Sequence, residues 1–191
     1  MNQNEIMRRK LLAILAASAC VPAYAAPYAL DPMHTNITFE IDHIISTNRG
    51  KFDKKEGAAD FDLAAKSGSV TLTVDTTSIN TGIAPFTKQL QSKDFFNVEQ
   101  FPTATFVSEN FVFNGDKVAE VNGNLTMLGK TNPVKLKAIR FGCVFNGMLQ
   151  REVCGGDFEA TINRSAWGMV WGLPRFPDAV RLLLQVEGIK Q

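Results

Sequence analysis

Asn36-Ile37-Thr38-Phe39-Glu40-Ile41 sets an apolar side chain at every second residue, the period of a strand with one buried and one exposed face. The same alternation returns at Val70, Leu72 and Val74, and again at Val134, Leu136 and Ala138. It closes the chain at Val180, Leu182, Leu184 and Val186. Turn chemistry such as Asn114-Gly115-Asp116 and Asn146-Gly147 bounds these runs, as Gly, Asn and Asp do where the backbone reverses. Successive strands with few helical stretches between them predict an all-β fold, a closed or nearly closed antiparallel sheet.

Two stretches break the rhythm. After the turn-like Ser78-Ile79-Asn80-Thr81-Gly82, residues 83–92 carry apolar side chains at Ile83, Phe86 and Leu90, the spacing of one short amphipathic helix. That helix runs into Asp94-Phe95-Phe96-Asn97 and then Phe101-Pro102, where the proline favours extended backbone before it. Residues 167–177 form the second irregular stretch and hold both tryptophans and Met169.

The chain begins with a segment of a different kind. Arg8, Arg9 and Lys10 precede an apolar run, residues 11–21, too short to span a bilayer comfortably. Ala23-Tyr24-Ala25 supplies a small-x-small site, which places a signal-peptidase cut between Ala25 and Ala26. A lipoprotein reading at Cys20 is weakened by Ala17, which stands where a leucine-like residue is needed. Residues 1–25 are thus expected to be a cleaved secretory signal, and residues 26–191 one domain of the exported protein in the periplasm. Without the signal the chain is within one charge of neutral and has no basic block, which excludes nucleic acid as a natural partner. No later segment is apolar and long enough to span a membrane as a helix.

Cys143 and Cys154 remain in that domain, and an even pair in an oxidising compartment reads as one disulfide. A metal half-site is the alternative, but no histidine lies near and zinc needs about four ligands. If the two cysteines face each other across a hairpin, the antiparallel sum rule sets Ile139 opposite Phe158.

Catalytic chemistry is thinly represented. The only histidines are His34 and His43, and neither a Gly-x-Ser-x-Gly elbow nor a zinc-helix signature accompanies them. Asp31 beside His34 could serve a hydrolase only by pointing into a cavity; strand-end histidines bonded to the backbone are the commoner arrangement. Phenylalanine, by contrast, occurs fourteen times against two tyrosines. Such residues either pack a barrel solid or line a cavity within it, and periodicity does not choose between these.

Several stretches together resemble the YceI-like family. The opening is similar in Tyr28-x-Leu30-Asp31-x-x-His34-Thr35-x-Ile37-x-Phe39, His43 and Gly50-Lys51-Phe52. The centre is similar in Ser78-Ile79-Asn80-Thr81-Gly82 and in residues 90–106, which hold Phe95, Phe96, Phe101 and Phe106. The later matches are residues 123–131, with Leu125 and Met127, and Ile162-Asn163-Arg164-Ser165-x-Trp167-Gly168-Met169. The resemblance implies an extended, lipocalin-like antiparallel β-barrel of about eight strands with a short helix at its mouth, holding a polyisoprenoid lipid such as a polyprenyl phenol or a quinone, ubiquinone among them. It makes Phe39, Phe52, Phe95, Phe96, Phe101, Phe106, Leu125, Met127 and Trp167 the candidate lining. Asn80, Arg164 or a histidine is expected to meet a polar headgroup near the helix. The family is not defined by a catalytic set, so no catalytic cofactor and no enzyme activity are expected. Two rival readings remain: a ligand-free interaction module and an enzyme acting on such a lipid. Pairing into a homodimer is left open.

Overall fold

A computed structural model describes residues 26–191; the signal segment inferred above lies outside them. The strands are β1 (Ala26–Leu30), β2 (Asn36–His43), β3 (Ser46–Phe52), β4 (Lys55–Asp62), β5 (Ser67–Asp75) and β6 (Ile79–Asn80). Helix α1 (Ala84–Gln91) follows, and then come β7 (Thr103–Asn114), β8 (Lys117–Met127), β9 (Lys130–Asn146), β10 (Arg151–Asn163) and β11 (Ala179–Lys190).

All pairings are antiparallel, and β11 closes the sheet. One edge of β11 pairs with β10; the other pairs with β2 at Arg181–Gln185 and then with β1 at Gly188–Lys190. Thus β1 and β2 are two segments of one interrupted strand. The pairings β3–β6 and β4–β5 show that β3/β4 and β5/β6 are interrupted in the same way. Counted so, the barrel is a closed, eight-stranded antiparallel one with a single α-helix among the described residues, the closed antiparallel sheet that the alternating pattern predicts and the strand number that the family resemblance implies. Closure removes the open edges that would otherwise pair with other chains.

The interruptions are tied across to their neighbours rather than left with free backbone groups. Thr35 is fully buried and exchanges hydrogen bonds with Glu187: its hydroxyl donates to the carbonyl and accepts from the amide. The Asp53 amide donates to the Ser78 carbonyl, and the Asp75 amide to that of Lys54. Thr76, 1 % exposed, donates from its hydroxyl to the Phe101 carbonyl and from its amide to that of Pro102. Each bond satisfies a backbone group that the ladder no longer reaches. The short β6 pairs with β3 alone, and residues 81–102, including α1, cover that side of the barrel end.

The alternating residues named from the sequence face inward. Ile37, Phe39, Leu72, Val74, Val134, Leu136 and Leu184 are all under 9 % exposed and belong to one apolar cluster. At the opposite end from α1, Tyr28 stacks on Phe61 at 4.2 Å between ring centroids, and Phe141 meets Phe61 edge-on at 6.0 Å. The Tyr28 hydroxyl donates to Glu152 at 2.6 Å, and Glu152 also receives Lys190 at 3.1 Å. Burial, with the Glu152 carboxylate second, pushes the Tyr28 pKa up, so the phenol stays a neutral donor that seals this end.

Cys143 and Cys154 are joined in a disulfide and sit opposite each other in the β9–β10 ladder. The expected pairing of Ile139 with Phe158 does not follow. Phe158 pairs with Ala138, because the register shifts between Asp157 and Phe158. A β-bulge leaves Ile139 as the extra residue on β9, turned outward and 59 % exposed. It also explains how Ala138 and Phe141, of opposite parity, both pack inward. Replacing both cysteines with serine should lower unfolding free energy by about 3 kcal/mol, the loop-entropy value for so short a closure. Urea denaturation of the double variant, against wild type with and without reductant, measures it.

Candidate functional site

The barrel is not packed solid. A cavity of about 320 Å³ opens between α1, the β2–β3 hairpin and residues 168–178. Its wall is formed by strand residues whose alternation aims them inward: Ile37 and Phe39 of β2, Phe52 of β3, Val74 of β5, and Leu182 of β11. Leu125, Met127 and Ile162 complete the far side. Phe39 lies where it does because its cross-strand partner is Gly50: a Cβ there would stand 2.3 Å from Phe39 Cζ. The missing side chain lets the ring lie flat on the neighbouring strand, leaving the lumen open.

Helix α1 supplies the roof. Pro85 starts it without forfeiting a needed backbone bond, and the Thr87 amide reaches back to the Ile83 carbonyl. Phe86 and Leu90 face the cavity, as their spacing predicts, whereas Ile83 caps the helix and is 60 % exposed. Phe95 and Phe96 follow in the turn after the helix and both line the cavity. Phe96 meets Phe52 edge-on at 5.5 Å, and Phe52 is 6.0 Å from Phe39, so one aromatic wall runs from roof to barrel.

Aromatic rings also form the rim. His43 stacks on Phe176 at 5.2 Å, Phe176 on Trp171 at 5.9 Å, and Trp171 meets Phe95 at 5.4 Å. The loop carrying Phe176 and Trp171 is held by Arg164, only 4 % exposed. Its guanidinium donates to the carbonyls of Pro177, Met169 and Trp171 at 3.0, 2.9 and 2.9 Å. Burial pulls its pKa down and Asp178 opposes this. Asp178 in turn accepts from the Ser165 amide and hydroxyl at 2.8 and 2.6 Å. The rim is the polar part of an otherwise apolar site: Asp42, His43, Asn48, Gln89 and Arg164 contribute to it.

A smaller cavity of about 80 Å³ lies deeper in the barrel, lined by Leu72, Phe106, Val121, Leu136, Phe158 and Leu184 among others. Among the described residues no group of three or more His, Cys, Asp or Glu side chains is placed to hold a metal ion. None of the helices there is long and apolar enough to cross a membrane.

The model for the YceI-like domain matches residues 28–188. The chain belongs to the YceI-like family. This YceI-like chain is 37 % identical over 97 % of its length to a UPF0312 protein of Pseudomonas paraeruginosa, which it covers completely. Among solved structures it is similar to BcnA of Burkholderia cenocepacia, at 26 % identity and a TM-score of 0.70, over 83 % of this chain and 98 % of that one. A polyisoprenoid binding domain from Saccharophagus degradans shares the fold at 14 % identity and a TM-score of 0.62, over 87 % of this chain and 99 % of that one.

Of the nine lining candidates, the structure brings Phe39, Phe52, Phe95, Phe96, Leu125 and Met127 to the larger cavity. Phe106 lines the smaller one. Phe101 and Trp167 reach neither: Phe101 packs against the turn at Gly129, and Trp167 is buried with its indole N–H on the Leu125 carbonyl at 3.0 Å. Trp167 braces the wall from behind. Asn80 binds Asp53 and stays off the cavity. The backbone-bonded role expected of the histidines does not hold, since His34 bonds the Asp31 carboxylate at 2.7 Å and His43 stacks on Phe176. The Asp31–His34 pair lies outside both cavities, so it cannot serve chemistry inside them. The sequence reading missed Phe86 and Leu90 as lining although their helical spacing was visible, and missed Phe176 and Trp171, which only the loop fold places.

Two outcomes follow. Gly50→Val forces the Phe39 ring into the lumen; it should cost ~1–3 kcal/mol by overpacking and reduce uptake of an apolar fluorescent dye, both read in one titration series. The Ser165 hydroxyl, opposed by burial and aided by the Ser165 amide and Arg164, holds the Asp178 carboxyl below its ordinary 3.8. Its contribution is therefore present above that value and lost as pH falls through the lower folded one. Trp171 emission should change as pH falls below about 4, and Asp178→Ala should show that same change already at pH 7.

Proposed function

We propose that this protein is a periplasmic carrier that sequesters a polyisoprenoid lipid, an isoprenoid quinone or polyprenyl phenol, in the barrel. The observation that carries the reading is the 320 Å³ lumen, walled by aliphatic and aromatic side chains and polar only at its rim. A long apolar tail with a polar head has that same division. The fold shared with a polyisoprenoid binding domain supports the ligand class. The disulfide supports an oxidising compartment, which agrees with residues 1–25 acting as a cleaved secretory signal ahead of a single domain, residues 26–191.

The driving force is removal of the tail from water. At about 0.8 kcal/mol per methylene, a forty-carbon tail gains on the order of 30 kcal/mol gross. Measured affinities saturate near about −20 kcal/mol, so ordering the tail and rearranging the lumen offset much of the gain. Release into water is therefore slow, and transfer requires an apolar acceptor. At the rim, the polar head meets His43, Asn48 and Gln89, while the Phe39–Phe52–Phe96 wall flanks the first tail units. The site binds and shields; no group in it is arranged as a nucleophile beside a base.

Native mass spectrometry on protein purified from a bacterial periplasm should show a stoichiometric adduct that organic extraction identifies as a polyprenyl species. A bare mass, unchanged after incubation with quinones, sinks the carrier reading in favour of an interaction module.

A further inference from the structure

The β2–β3 hairpin turns on the wrong residues. His43 pairs with Ser46, so Ile44 and Ile45 alone form its loop. Ile44 has a φ of +54°, whereas Ile45 is outside the positive range. A two-residue loop of that kind favours glycine at its first position, and β-branched side chains rarely occupy the left-handed region. The β7–β8 hairpin has a loop of the same pattern, Gly115-Asp116, and places glycine there. Nor do the isoleucines pack on the barrel: they are 77 % and 97 % exposed. An unfavoured backbone conformation that carries exposed aliphatic side chains points to a contact outside the molecule.

That tip stands at the mouth of the larger cavity. His43, the residue before it, lines the cavity and stacks on Phe176, which stacks in turn on Trp171. Trp171 also lines the cavity, and it and its neighbour Val170 are exposed. Two apolar projections therefore flank the opening, linked through one stack of rings. Charges beside them are of both signs: Asp42 and Arg175 are exposed, and Arg49 is paired with Glu40. The rim thus presents no single-sign field to a charged partner. It presents aliphatic side chains and an indole, and tryptophan settles at the boundary between water and lipid. A two-residue tip is also narrow beside the roughly 800 Å² per partner of a stable protein interface, whereas a fluid bilayer closes around whatever enters it.

We infer that Ile44 and Ile45, with Val170 and Trp171, insert into the surface of a lipid bilayer and hold the mouth against it, so that cargo passes between membrane and lumen without crossing water. This rests on the carrier reading above and adds to it the surface at which loading occurs.

Flotation of the purified protein with vesicles of phosphatidylethanolamine and phosphatidylglycerol, one set carrying brominated acyl chains, tests the docking. Wild type should float with the vesicles and stay bound as NaCl rises from about 0.1 to about 0.5 M, since insertion is not screened by salt. The brominated chains should quench Trp171. Ile44→Gly/Ile45→Ser gives the loop its favoured residues. This variant should melt no lower than wild type while its vesicle affinity falls at least about tenfold, less than full burial of two isoleucine side chains provides. Met148→Ser/Leu149→Ser, at the exposed β9–β10 tip on the opposite end of the barrel, should float as wild type does. Docking is wrong if wild type stays soluble, if salt releases it, if the Ile44/Ile45 variant floats equally well, or if the Met148/Leu149 variant loses as much. Native mass spectrometry judges the carrier separately: lipid-loaded protein that ignores vesicles leaves the carrier standing without this surface, and protein that never holds a polyprenyl lipid removes the carrier and the loading role with it.

Discussion

The pairing of β11 with three other strands is the constraint on which the rest depends. Residues 179–190 complete the β10 ladder on one edge and receive β2 and β1 in succession on the other. Without that closure β2 would lose its ladder to the barrel, and the inward faces of Ile37 and Phe39 would have no opposite wall. Closure joins the two ends of the domain, so it carries the loop-entropy cost of a long-range contact. The buried Thr35 bridge to Glu187 holds the strand pair together where β1 gives way to β2.

The interruptions in the first three strands give the barrel two unlike ends. Below them, β1, β4 and β5 stay in the barrel wall, and Tyr28, Phe61 and Phe141 fill the end. Above them, β6 pairs on one side only, and α1 and the following aromatic turn stand where further strand would be. An apolar site can exist there because its backbone groups are satisfied elsewhere. Arg164 shows the same economy: three loop carbonyls that would point into the protein unpaired instead share one guanidinium. The charge is buried at a cost, and what it secures is the position of the rim.

Much of this was legible in the sequence where a residue's role follows from its neighbours along the chain. The alternation in β2, β5, β9 and β11 gave the inward faces, and the Ile83, Phe86, Leu90 spacing gave α1. The Cys143–Cys154 pairing was readable because two cysteines on adjacent strands leave one partner each. The register beyond it was not, since the bulge at Ile139 depends on how β9 curves between β8 and β10. Phe101 and Trp167 sit within matched motifs yet face away from the lumen. A motif records which residues recur together, whereas orientation depends on the turn that presents them.

The amino-acid order by itself determined an all-β barrel with one helix, its inward faces, its disulfide and the apolar character of its interior. Those properties arise from periods of two and of three to four residues, which are set locally by backbone geometry. Only the tertiary structure decided that the interior is hollow, that its mouth lies under α1, and that a second, smaller cavity lies beyond the first. Those properties depend on which side chains from strands far apart in sequence meet across the lumen, and on small residues such as Gly50 and Gly123 leaving room for the Phe39 and Phe106 rings carried by neighbouring strands.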